Sequence, residues 1–299
     1  MTNRFERPIA DWFATSARDL PWRAPDAGPW AIMVSEFMLQ QTPVSRVLPA
    51  YLAWLARWPT PAALAAATPA DAVRQWGRLG YPRRAIRLHA AATMIAGRPG
   101  GSVPASLDDL RALPGVGDYT AAAIASFAFG QRHPVLDVNI RRVLARLVTG
   151  RDLGGGSVSV AETALATALL PPAGDGRAAR WNAAVMELGA LVCTAARPAC
   201  DQCPVAVSCA WLAGGRPPAD RPRRGQTYQG SDRQCRGALL AVLRSAAGPV
   251  PVAAFDGCWP DADQQARVLA GLVGDGLVTL SDGGLASLPG EDAAVPGAG

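Results

Sequence analysis

Four cysteines lie within seventeen residues, in the order C-x6-C-x2-C-x5-C: Cys193, Cys200, Cys203 and Cys209. Thiolates at this spacing can converge on one small volume, as a tetrahedral zinc ion or a [4Fe–4S] cluster requires. Structural zinc sites usually use two tight C-x2-4-C pairs, whereas only one pair is tight here. The spacing therefore favours a [4Fe–4S] cluster, with a zinc site or four unrelated buried thiols as the alternatives.

Length and composition predict a cytoplasmic protein with enough apolar material for two modest domains. The chain has 299 residues, of which 49% are hydrophobic. A membrane span would need about eighteen consecutive apolar residues, and no such run occurs. Residues 1–11 carry charges where a signal peptide would have an apolar core. We therefore expect a monomer without membrane contact, whose thiols are reduced rather than paired in disulfides.

The positive charge is concentrated ahead of residue 231. The net charge is +5, and residues 231–299 hold four arginines and eight acidic side chains, which leaves +9 on residues 1–230. An excess of this size suits a polyanionic partner such as DNA. The sequence contains no lysine, so a Schiff-base mechanism would have only the amine of Met1 available.

Apolar residues recur with helical period through most of residues 1–213, which predicts a mainly α-helical core. The Pro- and Gly-rich stretch 214–230 is predicted to be an interdomain linker. Its basic cluster, Arg221, Arg223 and Arg224, is expected to contact phosphate.

Residues 231–290 are predicted to form a small winged-helix-like module. Its expected helices cover 233–246, 252–258 and 263–273. Two alternating segments, 277–280 and 285–288, are separated by Asp-Gly-Gly and predict a hairpin. The last residues, 291–299, are expected to be a flexible tail.

A Leu-Pro-Gly-Val-Gly turn, residues 113–117, lies between two predicted helices. Gly115 and Gly117 allow a tight turn that presents backbone N–H groups at the start of the next helix, where a phosphate oxygen could bind. The turn resembles the helix-hairpin-helix element of DNA-binding proteins. A plain connection between helices is the alternative.

Two acidic residues, Glu36 and Asp137, have sequence neighbours that favour a catalytic role. Glu36 has apolar neighbours from Trp30 to Leu39, so its carboxyl is expected to be desolvated, with a raised pKa that suits a general acid. A solvent-facing position on its helix is the alternative for Glu36. Asp137 precedes another predicted helix, where an N-cap is the alternative.

In their order along the chain and in their residue types, these segments resemble one family, the MutY-type adenine DNA glycosylases of the endonuclease III superfamily. The matching segments are Leu-Pro-Trp-Arg at 20–23, Ser-Glu-Phe-Met-Leu-Gln-Gln-Thr at 35–42, Trp-Gly-Arg-Leu-Gly-Tyr at 76–81, Leu-Pro-Gly-Val-Gly at 113–117, Leu-Asp-Val-Asn at 136–139 and the cysteine loop. The resemblance covers roughly residues 5–212. It implies a two-lobed helix-hairpin-helix core with DNA in the cleft and a [4Fe–4S] cluster loop. The implied lobes are 24–132, and 1–23 with 133–213.

The resemblance also implies the catalytic roles. Glu36 would protonate the adenine that leaves from an A:8-oxoguanine or A:G mismatch. Asp137 would stabilise the oxocarbenium-like sugar or attack it transiently, and Asn139 would help to hold Asp137 and the nucleotide. Tyr119 stands where the strand-cleaving branch has its Schiff-base lysine. The implied reaction is base removal by water without efficient strand cleavage.

The DNA-binding and metal-binding residues follow from the same resemblance. Gln41 and Tyr81 match the wedge positions that help to flip the base. Trp22 and Arg23 match residues that line the adenine pocket, although core packing is the alternative for Trp22 and Tyr81. The remaining matches contact the DNA backbone or bind the cluster: Leu113, Gly115, Val116 and Gly117 in the hairpin, and Cys193, Cys200, Cys203 and Cys209 in the loop.

The chain departs from the family pattern at Arg78, Pro82 and Val138, and above all after residue 213. The segment after residue 213 has a winged-helix pattern rather than that of the Nudix-like domain that usually reads 8-oxoguanine, so the resemblance does not account for recognition of the oxidised base. Two other functions remain open. One is a thymine or uracil mismatch glycosylase, which has less use for an acid at Glu36. The other is a non-catalytic Fe–S DNA-binding protein, which needs neither placed carboxylate.

Overall fold

The computed structural model describes residues 3–153, 156–219 and 228–291, and these ranges are mainly helical, as predicted. They contain fourteen α-helices: α1 Glu6–Ser16, α2 Pro29–Leu39, α3 Val44–Arg57, α4 Pro61–Ala65, α5 Pro69–Trp76, α6 Arg83–Ala96, α7 Leu107–Arg111, α8 Asp118–Phe129, α9 Val138–Leu144, α10 Val160–Leu169, α11 Arg177–Leu191, α12 Ala210–Ala213, α13 Asp232–Ser245 and α14 Ala262–Gly274. Three short strands are β1 Val250–Pro251, β2 Thr279–Leu280 and β3 Leu285–Ser287. No helix in the described ranges has both the length and the apolarity to cross a bilayer. The predicted phosphate contacts Arg221, Arg223 and Arg224, and the predicted tail from residue 292, lie outside those ranges.

Local sequence sets several helix boundaries. Thr68 caps α5 by accepting a hydrogen bond from the Asp71 N–H at 3.0 Å, and the Asp71 carboxylate accepts from the Thr68 N–H in return. Ser159 and Glu162 form the same reciprocal pair at the start of α10. Such a capping box satisfies two backbone N–H groups that the first helical turn leaves unpaired. These helices therefore begin where the residue types dictate.

The chain forms two compact units. The first unit comprises residues 1–33, 105–112 and 116–224, and the second comprises residues 34–104, 113–115 and 225–299, so that α2 belongs to both. The lobe and linker boundaries expected from the sequence stay a prediction.

The first unit has a core formed chiefly by α1, α8, α9 and α11. Fully or nearly fully buried side chains from these helices form one cluster: Ile9, Ala123, Ile140, Val143, Trp181, Val185 and Leu188. After α9 the chain continues as a π-helical turn, Ala145–Thr149. Such turns are rare, and they often occur near functional sites.

In the second unit, three tryptophans pack edge to face in the core of α3 to α6. The ring centroids of Trp54 and Trp58 are 4.7 Å apart, and those of Trp54 and Trp76 are 5.6 Å apart. Trp54 and Trp76 are at most 1% exposed. This geometry favours contact between the positive edge of one ring and the negative face of another.

The second unit also contains the module formed by residues 228–291, with α13, α14 and an antiparallel sheet in the order β1-β3-β2. The predicted hairpin is confirmed by the pairing of β2 with β3. The predicted helix 252–258 is wrong, because only a 3-10 turn, Val252–Phe255, forms there. Gly257 has φ +75°, outside the right-handed helical region, so a helix cannot continue to residue 258.

Candidate functional site

Glu36 lies in α2, a helix that is apolar on almost every side. Its neighbours Val34 and Phe37 are at most 1% exposed, and Glu36 itself is 5% exposed. The solvent-facing alternative is therefore wrong. The carboxyl group of Glu36 is thus largely withdrawn from bulk water.

Asp137 is the N-cap of α9, and both of its carboxylate oxygens accept hydrogen bonds. Oδ1 accepts from the Ile140 N–H at 2.6 Å, and Oδ2 accepts from Asn139 Nδ2 at 2.8 Å. Burial raises the pKa of Asp137, whereas the bonds from Ile140 and Asn139 and the charge of Arg142 oppose that rise. The carboxylate is therefore held in one orientation, so the N-cap geometry is compatible with a further role.

Asn139 is fixed from two sides. Arg142, which is 6% exposed, donates through Nη2 to Asn139 Oδ1 at 2.8 Å and to the Gly189 carbonyl at 2.6 Å. A Cβ atom on Gly189 would lie 2.7 Å from Asn139 Cβ, so only glycine lets α11 approach α9 this closely. The same guanidinium donates through Nε to the Cys193 carbonyl at 2.7 Å. A single buried arginine thus connects the Asp137 region to the first cysteine of the loop.

The cysteine loop encloses a small cavity with apolar walls. All four candidate ligands line it: Cys193, Cys200, Cys203 and Cys209. In the described ranges no three His, Cys, Asp or Glu side chains form a group that could hold a metal ion. The four thiols nonetheless share one cavity, and thiols are the ligand type that soft metal centres use.

Buried positive charge lies beside this cavity. Arg146 Nη1 is 3.5 Å from Cys193 Sγ, and its guanidinium stacks 4.4 Å from the Trp211 ring centroid. Burial raises the pKa of the Cys203 thiol to about 11. Burial also raises the pKa of Cys193, which hydrogen bonding to Arg146 and the charge of Arg146 oppose. Arg146 therefore opposes the effect of burial on the Cys193 thiol.

Comparisons with known proteins identify the family. Residues 34–153 match the model of the HhH-GPD superfamily of base excision DNA repair proteins. An adenine DNA glycosylase of Mycobacterium tuberculosis is 52% identical over 282 residues, which cover 94% of this chain and 92% of that protein. The chain belongs to the adenine DNA glycosylases. It is accordingly a DNA N-glycosylase of base-excision repair, and DNA is its partner.

Two further relatives delimit what this adenine DNA glycosylase shares with others. A human adenine DNA glycosylase is 42% identical over 214 residues, which cover 69% of this chain but only 39% of the human protein. The solved structure of a thermostable thymine-DNA glycosylase is 27% identical, with a TM-score of 0.61, and covers 70% of this chain and 95% of its own. The mycobacterial match aligns 282 residues, which is more than this chain holds outside residues 228–291. The match therefore extends into the C-terminal module.

The two wedge residues expected of an adenine DNA glycosylase have unusual backbones. Gln41 has φ +58° and Tyr81 has φ +47°, a left-handed region that non-glycine residues seldom adopt. Tyr81 is 51% exposed, so the core-packing alternative is wrong for this residue. Each wedge position is a strained turn that the surrounding structure must hold in place.

Arg84 supplies much of that support in this adenine DNA glycosylase. Its guanidinium is buried and donates hydrogen bonds to five acceptors: the carbonyls of Phe37 at 2.9 Å, Met38 at 3.0 Å, Gln40 at 2.6 Å and Gly80 at 3.0 Å, and Thr42 Oγ1 at 2.9 Å. The carbonyls at the C-terminal end of α2, which carries Glu36, thereby gain partners. Arg84 also lies 5.5 Å from the Tyr81 ring centroid. Arg84 thus joins the helix that carries Glu36 to the turns of Gln41 and Tyr81.

The hairpin between α7 and α8 uses its residues in different ways. Leu113 and Val116 are buried, at 2% and 7% exposure, and anchor the turn by packing. Gly115 has φ +81°, and a Cβ atom there would lie 2.8 Å from Arg87 Cβ. Gly117 is the exposed N-cap of α8, has no side-chain cap and has open space around it. Only Gly115 is therefore a glycine for steric reasons.

The expected pocket residue Arg23 contacts a carboxylate that sequence reasoning missed. Glu187 is fully buried and accepts from Arg23 Nη2 at 2.9 Å and from Arg18 Nη2 at 2.7 Å. Burial alone would raise the pKa of Glu187, but hydrogen bonds from Arg18 and Arg23 outweigh it and lower the pKa to about 2. The available signal was an acidic residue within the otherwise apolar run of α11.

The two remaining aromatic residues both lie in the first unit. Trp22, in the 3-10 turn Pro21–Arg23, is 8% exposed and is largely a packing residue in this state. Tyr119, in the first turn of α8, is partly buried against the core of the first unit. Neither position is a free surface side chain, and the roles of both stay predictions.

Proposed function

We propose that this adenine DNA glycosylase removes adenine opposite 8-oxoguanine or guanine by hydrolysis of the N-glycosidic bond. The burial of Glu36 carries the proposal, since removal of a purine base calls for a general acid, and Glu36 is a carboxyl group held away from bulk water. Family membership supports adenine as the base that is removed. The opposite base is inferred from the resemblance alone.

In the proposed reaction, the two carboxyl groups act in sequence. Glu36 donates a proton to a ring nitrogen of adenine, so the base departs as a neutral leaving group. Asp137, as the carboxylate, stabilises the positive charge that develops on the sugar, much as in glycosidases. Asn139 positions Asp137 through its 2.8 Å hydrogen bond to Oδ2. Water then completes the hydrolysis and leaves an abasic site.

Adenine must leave the duplex before Glu36 can reach it. Base flipping costs a few kcal/mol, which inserted side chains help to offset. We assign that insertion to Gln41 and Tyr81, and contact with the adenine to Trp22 and Arg23. The hairpin from Leu113 to Gly117 would bind the DNA backbone through the N–H groups that begin α8.

We further propose that the enzyme is monofunctional. Strand cleavage through a Schiff base needs an amine, and the sequence has no lysine. Tyr119 stands at the corresponding position and cannot form that adduct. The expected product is therefore an intact strand with an abasic site.

The four cysteines of the loop are proposed to hold one [4Fe–4S] cluster. A single zinc ion needs every sulfur about 2.3 Å from one point, whereas the four irons of a cluster each take one thiolate at a separate corner. Four thiols around a common cavity suit the second arrangement. The cluster would cross-link a loop that has little core of its own.

A cleavage assay on end-labelled duplexes tests the function. Substrates contain A opposite 8-oxoguanine, A opposite G, or T opposite G, and each is analysed with and without hot alkali. We expect cleavage of A-containing strands only after alkali, and loss of it in Glu36→Gln and Asp137→Asn. Scission before alkali would disprove monofunctionality, and absence of adenine release would disprove the proposed activity.

The second candidate is a thymine or uracil mismatch glycosylase. The structural similarity to a thermostable thymine-DNA glycosylase supports it. Activity confined to T opposite G, together with full activity of Glu36→Gln, would favour this candidate.

A further inference from the structure

The C-terminal module, residues 228–291, contacts one continuous segment of the second unit. That segment, residues 69–83, comprises α5, the turn that carries Tyr81 and the first residue of α6. Arg74 Nη2 donates to the Ala246 carbonyl at 3.0 Å and pairs with the Glu291 carboxylate. A Cβ atom on Gly290 would lie 2.8 Å from Pro69 Cδ, which indicates close packing at the start of α5.

Two other contacts bracket the Tyr81 turn. On one side, Arg244 Nη1 donates to the Gly77 carbonyl, at the C-cap of α5. On the other side, Arg83 Nη1 pairs with Asp275 Oδ1 at 3.0 Å, two residues beyond Tyr81. Both ends of the strained turn are thus bonded to the module.

The charge of the module argues against its binding DNA directly. Residues 228–291 carry four arginines and seven acidic side chains, so a phosphate backbone would be repelled. In a DNA-binding winged helix the second long helix enters the major groove. The corresponding helix here, α14, has one arginine, Arg267, and it is paired with Asp232.

We propose that the C-terminal module is a positioning element for the Tyr81 turn. Its bonds to Gly77 and Arg83 hold the turn in the left-handed conformation that exposes the tyrosine ring. This inference rests on the proposed wedge function of Tyr81. It gives residues 228–291 a part in base flipping without contact with DNA.

The full-length protein provides the test. Arg244→Met removes the bond to Gly77, and Asp275→Asn weakens the bond to Arg83. Arg267→Met is the matched control, because its ion pair with Asp232 stays within the module. We measure single-turnover adenine release, and the fluorescence of 2-aminopurine placed beside the mismatch, which reports unstacking by the wedge.

Loss of one partly buried hydrogen bond predicts about a fivefold slower release in Arg244→Met. The fluorescence increase on binding should fall in the same proportion, while Arg267→Met retains both signals. Thermal unfolding midpoints are compared first, and Asp275→Asn carries the test if Arg244→Met proves unstable. Equal loss in Arg267→Met and Arg244→Met would overturn the proposal.

A double-mutant cycle with Tyr81→Ala separates positioning from general destabilisation. If the module acts through Tyr81, Arg244→Met should slow release no further once the ring is gone. A full fivefold additional loss would disprove the inference. Adenine release by the unmodified protein is established beforehand, so failure of the proposed function is recognised separately.

Discussion

Two buried arginines, Arg142 in the first unit and Arg84 in the second, organise their surroundings in different ways. Arg142 bonds to one side-chain oxygen, that of Asn139, and to the carbonyls of Gly189 and Cys193. Arg84 bonds mainly to backbone carbonyls at a helix end and in two turns. The first arginine therefore fixes a side chain that holds a carboxylate, whereas the second fixes the path of the backbone.

Buried arginines contribute to the net charge of this protein but not to the charge on its surface. Four arginines of the core are at most 9% exposed: Arg84, Arg141, Arg142 and Arg146. Each is used for internal hydrogen bonding, so the excess of +9 on residues 1–230 overstates the charge that can face DNA. The planar guanidinium, with five donors, suits this internal role better than an ammonium group would.

Replacement of Arg142 should have the largest effect. Arg142→Met leaves buried oxygens of Asn139, Gly189 and Cys193 without this donor, which predicts a loss of about 3 kcal/mol in the free energy of unfolding. Misplacement of Asn139 and Asp137 should slow adenine release about 100-fold. Urea unfolding and single-turnover rates measure the two effects. Full activity in Arg142→Lys would contradict a need for the guanidinium fork.

Replacement of Arg84 should affect wedging more than chemistry. Arg84→Met is expected to lower the free energy of unfolding by about 3 kcal/mol, as for Arg142, but to slow adenine release by only about tenfold. The loss should be mostly in DNA affinity, because the turns of Gln41 and Tyr81 lose their support. Competition binding to mismatched duplex checks this expectation. A slower adenine release with unchanged DNA affinity would contradict this difference between Arg84 and Arg142.

At a third site, Arg18 and Arg23 pair with a buried carboxylate, that of Glu187, instead of with neutral oxygens. The pKa of Glu187 is lowered from 4.5 to about 2. Its stabilising contribution is therefore complete above about pH 4.5 and is lost as pH falls towards 2. Glu187→Gln should destabilise the protein by about 2 kcal/mol at neutral pH and flatten the acid dependence of unfolding. An unchanged acid profile in this variant would contradict the assignment.

The smallest expected effect concerns the backbone alone. Gly115→Ala should lower the free energy of unfolding by about 1–2 kcal/mol, since it combines a positive φ with a Cβ clash against Arg87. Gly117→Ala, where space is open and φ is −93°, should change it by less than about 0.5 kcal/mol. Thermal unfolding of the pair measures the difference. Equal destabilisation would show that both glycines are conformationally required.

Much of the helical core was predictable from sequence because its signals are local. The apolar surroundings of Glu36 anticipated its burial, and the position of Asp137 before a helix anticipated its N-cap. The buried roles of Arg84, Arg142 and Glu187 could not be anticipated. Isolated charged residues in helices usually face solvent. Gly80 and Asn139 lie only 4 and 3 residues from their arginines, but the other partners named above lie 42 to 169 residues away.

In the C-terminal module, too, the locally encoded elements were predictable and the long-range contacts were not. Helices α13 and α14 and the hairpin follow from periodicity and from turn residues, and they were predicted correctly. The 3-10 turn after Pro251 is too short to carry a periodic signal. The docking of the module on α5 depends on Arg74, Arg83 and Arg244, which no local pattern distinguishes from surface arginines.

The left-handed backbone conformations of Gln41 and Tyr81 lower stability, because a residue with a side chain is strained there. Glycine would adopt either conformation without strain, so Gln41→Gly and Tyr81→Gly should raise the thermal unfolding midpoint. The same changes would remove the side chains proposed to enter DNA. If those side chains act as proposed, selection for a more heat-resistant protein would tend to replace Gln41 and Tyr81 by glycine, and only selection for repair would keep both residues.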